Sequence, residues 1–172
     1  MAVERPDVVK MKGNPMTLIG PQIKPGDKAS SFSVRTQDLK PFTLDDTRGK
    51  IRLFSVVPSL DTPVCDMQTR RFNEEAARLG DKVEIITVSM DLPFAQKRWC
   101  GAAGIDKIKV VSDYYDRSFA QAYGTLIKEL HLECRAIFVV DGKDTVRYVE
   151  YVPEVTDHPN YEKALAAVKS LV

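Results

Sequence analysis

The chain has 172 residues, of which 44% are hydrophobic and 28% charged, which suits one globular domain. Its 25 basic and 24 acidic residues give a net charge of +1, so the basic excess typical of nucleic-acid-binding proteins is missing. No run approaches the ~18 apolar residues of a membrane span, and residues 1–15 lack the apolar stretch of a secretory signal. Three cysteines are too few for a disulfide framework, so we expect a cytoplasmic protein with reduced thiols.

The chain begins with a predicted β-hairpin. Residues 8–12 and 16–19 are short β-prone runs on either side of Gly13-Asn14-Pro15, which is a turn signal. Prolines and a glycine in residues 21–26 then separate this piece from the remainder. We therefore expect residues 1–25 to form a hairpin extension of the domain.

Strand and helix patterns alternate along the rest of the chain. Strands are predicted for the short β-branched and aromatic runs 32–35, 42–44, 51–57, 83–88, 107–112, 135–140 and 145–152. Helices are predicted for the segment from 63 to about 80 and for 92–100, 116–123 and 160–172. This order predicts an α/β, thioredoxin-like fold with a mixed central sheet flanked by helices, in one domain over 1–172.

Cys65 follows a predicted buried strand and the pair Thr62-Pro63. Threonine is a favourable N-cap and proline suits the first helical position, so Cys65 is expected to be the third residue of a helix. The unpaired N–H groups and the positive dipole end found there favour the thiolate, which is the reactive form of cysteine. A buried structural cysteine is the alternative, since free cysteine is often buried.

Cys100 is expected at the C-terminal end of the predicted helix 92–100, closed by Gly101. The helix dipole is negative at that end and disfavours a thiolate, so the two thiols should be unequal, with Cys65 the activated one. The glycine gives this end of the helix freedom to rearrange. The alternative is that Cys100 simply packs beside Trp99.

Arg135 opens an apolar run directly after the third cysteine, Cys134. Its guanidinium either reaches back to water from the strand end, or supplies a permanent positive charge to a nearby anion such as the Cys65 thiolate. Metal-ligand spacings are missing from the sequence, and we expect His131 and His158 at the surface. The pattern therefore predicts thiol chemistry without a metal.

Two segments resemble a known family. Residues 58–65, with Pro58, Thr62 and Cys65, match the active-site pattern of the peroxiredoxins. Residues 89–100 resemble the signature of the thiol peroxidase branch, the atypical two-cysteine peroxiredoxins. The likeness runs along nearly the whole chain and includes residues 13–15, 121–124 and 153–156.

The resemblance implies a role for each matching residue. Cys65 would be the peroxidatic cysteine, attacking hydrogen peroxide or an organic hydroperoxide and becoming a sulfenic acid. Cys100 would be the resolving cysteine, closing an intrasubunit disulfide with Cys65. Thr62 would hydrogen-bond the thiolate and the peroxide, Pro58 would shield the site from water, and Arg135 would stabilise the thiolate.

The resemblance also implies partners for an antioxidant enzyme. Thioredoxin and its reductase, with NADPH as electron source, would reduce the disulfide, and the protein would be a homodimer without metal or flavin cofactor. The same two cysteines also fit a redox sensor or binding module that the disulfide switches, or an α/β protein with incidental thiols. Catalytic turnover distinguishes these classes.

Overall fold

The computed structural model describes residues 2–172. Within them, the strands are β1 Glu4–Met11, β2 Asn14–Ile19, β3 Ser33–Arg35, β4 Pro41–Thr43, β5 Ile51–Val56, β6 Val83–Ser89, β7 Lys109–Ser112, β8 Leu126–Ile127, β9 Leu132–Glu133, β10 Ala136–Val140 and β11 Val146–Tyr151. The helices are α1 Pro63–Leu79, α2 Pro93–Ala103, α3 Ser118–Tyr123 and α4 Tyr161–Lys169. Every strand and helix predicted from the sequence is present, within a few residues of its predicted bounds.

The larger sheet has seven strands in the order β11-β10-β5-β6-β7-β3-β4. Strands β5, β6 and β7 are parallel, and the remaining neighbours are antiparallel. This is the mixed sheet of a thioredoxin-like fold, as the order of the elements predicted. The carboxyl end of β5 leads into α1. This connection places Cys65 beyond the carboxyl end of a central strand of the sheet.

Both faces of the central strands are buried. On β5, the side chain of Leu53 joins the core beneath α1 and α4, which also contains Phe72 and Leu165. The next side chain, Phe54, points the other way and packs among aromatic residues that include Phe119. Alternation of two apolar faces explains why these strands read as continuous apolar runs.

The N-terminal hairpin turns more tightly than its sequence predicted. Met11 pairs with Asn14, so the turn consists of Lys12 and Gly13, whose φ angles are 50° and 80°. Positive φ at both positions is the requirement of a type I′ hairpin, and Pro15 therefore lies within β2 rather than in the turn. Strand β2 also pairs with β8, and β8 with β9, in a second sheet that was not predicted.

Two glycines let the hairpin approach α3 closely. Gly20 has a φ of 111°, and a Cβ at this position would overlap the carbonyl oxygen of Gln121. Gly124 has a φ of 65°, and a Cβ there would overlap the carbonyl oxygen of Pro21. Only glycine adopts these backbone conformations easily and also fits the space, so both positions allow the close contact between the hairpin and α3.

Neither a bilayer-crossing helix nor a metal-binding cluster is found in residues 2–172. The helices there are too short or too polar to span a membrane. In the same range, no group of three or more His, Cys, Asp or Glu side chains is arranged to hold a metal ion.

Candidate active site

Cys65 is the third residue of α1, as the sequence predicted. Thr62 occupies the N-cap position and Pro63 the first helical position. The Thr62 hydroxyl accepts no bond from the first helical turn, and its one donor goes to the carbonyl oxygen of Ser59 at 2.9 Å rather than to Cys65. The amide of Asp66 donates to the carbonyl oxygen of Thr62, whereas the amides of Val64 and Cys65 have neither an intrahelical acceptor nor a side-chain cap. They leave partial positive charge around the fully buried Cys65 thiol.

Arg135 brings a full positive charge to this thiol. Its Nη2 donates to Cys65 Sγ at 3.3 Å, its Nη1 to Gln68 Oε1 at 2.9 Å, and its Nε to the carbonyl oxygen of Val155 at 2.9 Å. Only 2% of Arg135 is exposed. Of the two alternatives for Arg135, the one in which its side chain reaches back to water is therefore wrong, and the guanidinium is directed to the sulfur.

Arg52, a second buried arginine, differs from Arg135 in the charge of its partner. Arg52 is also buried, but its Nη2 forms an ion pair with the carboxylate of Asp144. In the described residues, Arg135 has no carboxylate partner, and its acceptors are two neutral oxygens and Cys65 Sγ. A buried charge is costly without a counter-charge, and Cys65 Sγ is the one acceptor of Arg135 that can itself carry a negative charge.

Gln68 fixes the plane of the Arg135 guanidinium. Besides accepting from Arg135, it donates through Nε2 to the hydroxyl of Ser55 on β5 at 2.7 Å. Both polar ends of this fully buried amide are thus satisfied. Gln68 was not predicted as a site residue, although its position three residues after Cys65, on the same face of the helix, is a usable signal.

An open pocket of about 470 Å³ is lined in part by Arg135. Pro58, Thr62 and Val64 line it on the side of α1, and Met11 and Val155 line it on the opposite side. The structure therefore brings Pro58, Thr62 and Arg135 together around the N-terminus of α1. The walls of the pocket are mainly apolar, and its polar lining residues are Lys12, Thr62, Arg135 and Thr156.

Cys100 lies inside α2 rather than at its end. The helix continues to Ala103 and ends at Gly104, which has the left-handed φ of 69° usual for a helix-terminating glycine. The expectation that Gly101 closes the helix is therefore wrong, since one glycine costs only ~1 kcal/mol within a helix. Burial raises the pKa of Cys100, and a hydrogen bond from the Gln37 amide at 3.4 Å opposes this shift.

Asp91 ties the segment before Cys65 to the segment before α2. Its carboxylate accepts from the hydroxyl of Ser59 at 2.7 Å, the amide of Leu60 at 2.8 Å and the hydroxyl of Ser89 at 2.7 Å. These bonds fix the loop that carries the N-terminus of α1. Sequence reasoning did not find this role, because Ser59 and Asp91 are 32 positions apart.

The remaining sequence-predicted candidates lie outside this arrangement. Cys134 is fully buried, and burial, followed by the charge of Glu133, raises its pKa far above the ordinary thiol value. His131 and His158 are exposed, as predicted. Among the described residues, all three cysteines are free, and two of them, Cys65 and Cys100, belong to one small buried cluster.

Comparisons with known proteins agree with this geometry. The family described as Redoxin matches residues 24–165. The chain is 60% identical over 162 residues to a thiol peroxidase of Halalkalibacterium halodurans, covering 94% of this chain and 97% of that protein. It is 56% identical over 164 residues to a thiol peroxidase of Bacillus subtilis, covering 95% and 98%.

A solved structure extends the likeness to three dimensions. The crystal structure of a peroxiredoxin-like protein from Aquifex aeolicus superimposes with a TM-score of 0.90 at 41% identity, covering 96% of this chain and 98% of that one. The sequence and the fold thus indicate the same family, and the contact between Cys65 and Arg135 agrees with it. The chain belongs to the redoxin family and, within it, to the thiol peroxidases.

Proposed function

We propose that this protein is a peroxidase that reduces hydroperoxides with the thiolate of Cys65. The observation that carries the proposal is the hydrogen bond from Arg135 Nη2 to Cys65 Sγ. It lies in a buried site where the described residues offer the guanidinium no carboxylate. The names of the relatives at 56–60% identity support the same activity. A merely structural cysteine has no need of a buried guanidinium.

The first step is a two-electron oxidation of sulfur. The Cys65 thiolate attacks the terminal oxygen of ROOH, an S–O bond forms, and the O–O bond breaks. The alkoxide fragment takes up a proton and leaves as ROH, and Cys65 becomes a sulfenic acid. The Arg135 guanidinium and the uncapped amides of the first turn of α1 are donors fixed in advance for the charge that moves onto oxygen.

Thr62 and Pro58 would position the peroxide. The Thr62 hydroxyl already uses its single donor on Ser59, so its free lone pairs can accept the peroxide O–H. Pro58 lines the pocket without offering an N–H group and reduces access of water. The apolar side chains of Met11 and Val155 in the same pocket favour organic hydroperoxides alongside hydrogen peroxide.

Cys100 would resolve the sulfenic acid. Its sulfur attacks the Cys65 sulfur, an S–S bond forms, the S–O bond breaks, and water leaves with the thiol proton. Both cysteines lie within helices, so at least one helix must open locally before the sulfurs meet with disulfide geometry. Thioredoxin, reduced by its NADPH-dependent reductase, would return both cysteines to thiols by thiol–disulfide exchange in the cytoplasm.

The active protein would be a homodimer. The exposed apolar side chains of Leu92 and Phe94 at the start of α2, and of Tyr115 before α3, supply apolar surface for a second copy. Light scattering of the purified protein at micromolar concentration tests this, with a mass near twice 19.3 kDa as the expected result.

A coupled turnover assay tests the enzyme against a redox sensor. With thioredoxin, thioredoxin reductase and excess hydroperoxide, we expect NADPH oxidation to continue for many equivalents. Cys65→Ser should abolish it, while the matched variant Cys134→Ser should retain it. Consumption of a single equivalent of peroxide by the native protein, without recycling, contradicts the proposal and supports the sensor.

A further inference from the structure

A hydrogen bond joins the residues next to the two reactive cysteines. Trp99 directly precedes Cys100, and its indole Nε1 donates to Oδ2 of Asp66, which directly follows Cys65, at 3.1 Å. Arg70 braces both partners: its Nε donates to Asp66 Oδ1 at 2.5 Å, and its Cζ lies 5.6 Å from the centroid of the Trp99 ring. We name these three residues the Asp66–Trp99–Arg70 clasp.

The clasp joins the two helices, of which at least one must open locally for the disulfide to form. Cys65 Sγ accepts from Arg135 behind α1, whereas Cys100 Sγ accepts from Gln37 in the turn between β3 and β4. The two sulfurs thus bind different partners on different elements. At least one must leave its partner, and its helix turn must open, before an S–S bond can form.

We propose that the bond from Trp99 to Asp66 slows this opening, so that Asp66 and Trp99 are positioning residues that set the rate of disulfide closure. The inference rests on the proposed resolving role of Cys100. The clasp connects α1 and α2 immediately beside both cysteines, so a local opening of either helix end breaks it. Its free energy is therefore part of the cost of opening.

The Trp99→Phe variant isolates the bond. It retains an aromatic ring beside Arg70 but removes the N–H donor, and it leaves the charges around Cys65 unchanged. We expect the oxidation of Cys65 by peroxide to keep its native rate, and disulfide closure to become roughly two- to tenfold faster, the effect of losing one typical, part-buried hydrogen bond. Rapid quenching with an alkylating reagent and mass spectrometry resolves the two steps.

Asp66→Asn tests the acceptor from the other side. This variant keeps Trp99, which is the only tryptophan in the chain, so stopped-flow fluorescence follows closure directly. It should close faster than the native protein. The matched control is Arg98→Gln, because the Arg98–Asp61 ion pair also joins α2 to the segment before α1 but is exposed and 4.0 Å long. Such a pair contributes little, and closure should keep its native rate.

The outcomes separate this inference from the function on which it rests. If native Cys65 sulfenic acid forms no disulfide with Cys100, the resolving role and the clasp both fail. If the native protein closes the disulfide but Trp99→Phe and Asp66→Asn close it at the native rate or more slowly, the clasp alone is overturned. Faster closure in both variants, with Arg98→Gln unchanged, supports it.

Discussion

Arg135 and Cys65 are 70 positions apart in the chain, yet Arg135 Nη2 lies 3.3 Å from Cys65 Sγ in a buried site. The guanidinium enters from the start of β10 and the thiol from the start of α1. Arg135 has no carboxylate partner in the described residues, so the sulfur of Cys65 is its one acceptor that can carry a negative charge.

Replacing Arg135 by methionine should slow the reaction of Cys65 with hydroperoxide. The variant keeps the volume of the side chain but removes the charge and the bond to sulfur, so we expect a loss of roughly ten- to hundredfold near pH 7, as for a hydrogen bond between charged groups. The pH at which the rate is half its maximum should rise. Stopped-flow kinetics over about pH 5 to 9 measures both.

The matched control is Arg71→Met on α1, the helix that carries Cys65, because the Arg71 guanidinium binds the exposed Glu162 instead. It should leave the rate and the pH profile unchanged. An Arg135→Met profile that coincides with that of the native protein contradicts the assigned role of Arg135.

Gln68→Glu should also slow the peroxide reaction, although the side chain keeps its shape. The new carboxylate takes the place of the amide oxygen that accepts from Arg135 Nη1, and it competes with the Cys65 thiolate for the charge. Gln68→Met removes the bond without adding a charge and should cause a smaller loss. The measurement compares the rate constants of the two variants for the reaction with peroxide. If Gln68→Met reacts more slowly than Gln68→Glu, this explanation is wrong.

Two buried carboxyl groups should make the protein less stable as pH rises. Burial raises the pKa of Asp113 to about 6, and burial followed by the charge of Asp113 raises that of Glu133. Because both values exceed those of the unfolded chain, the folded state binds protons more tightly. The stabilisation is complete below about pH 4 and is lost as pH rises through about 6.

Urea unfolding of the native protein at about pH 5 and pH 8 checks this sign. The contribution of the pair should fall by on the order of 2 kcal/mol across that range. Glu133→Gln keeps an oxygen to accept from the Thr125 hydroxyl and removes one of the two acids, so its stability should vary less with pH. A variant whose stability varies as much as that of the native protein shows that the pair is not the cause.

Gly20→Ala should destabilise the contact between the hairpin and α3. The methyl group would overlap the carbonyl oxygen of Gln121, and the φ of 111° is unfavourable for alanine. Gly26→Ala is the control, because its φ of 97° imposes a similar strain while no atom lies within 4 Å of its Cβ. Thermal unfolding should show a loss for Gly20→Ala that exceeds the loss for Gly26→Ala by ~1–3 kcal/mol.

The sequence predicted the larger sheet and the position of Cys65 for physical reasons. Strands buried on both faces read as long apolar runs, as residues 51–56 do, and the pair Thr62-Pro63 marks a helix start through local backbone chemistry. Strands β8 and β9 were missed because each has two residues and forms only by pairing within the second sheet.

The partners of the catalytic groups could not be predicted in the same way. The bonds from Gln37 to Cys100, from Ser59 to Asp91 and from Arg135 to Gln68 join residues between 32 and 67 positions apart. No local pattern in a sequence encodes such pairs, since the fold alone brings them together. The end of α2 was misplaced because Gly101 resembles a terminator, while Gly104 is the residue in the left-handed conformation.

A peptide map of the protein after treatment with one equivalent of hydroperoxide tests the central claim most directly. Alkylation of free thiols before digestion distinguishes the three cysteines, and gel filtration under denaturing conditions separates bonds within a chain from bonds between chains. We predict one disulfide, between Cys65 and Cys100 of the same chain, with Cys134 alkylated. A map in which Cys65 remains a free thiol, or in which Cys134 replaces Cys100 as its partner, contradicts the account.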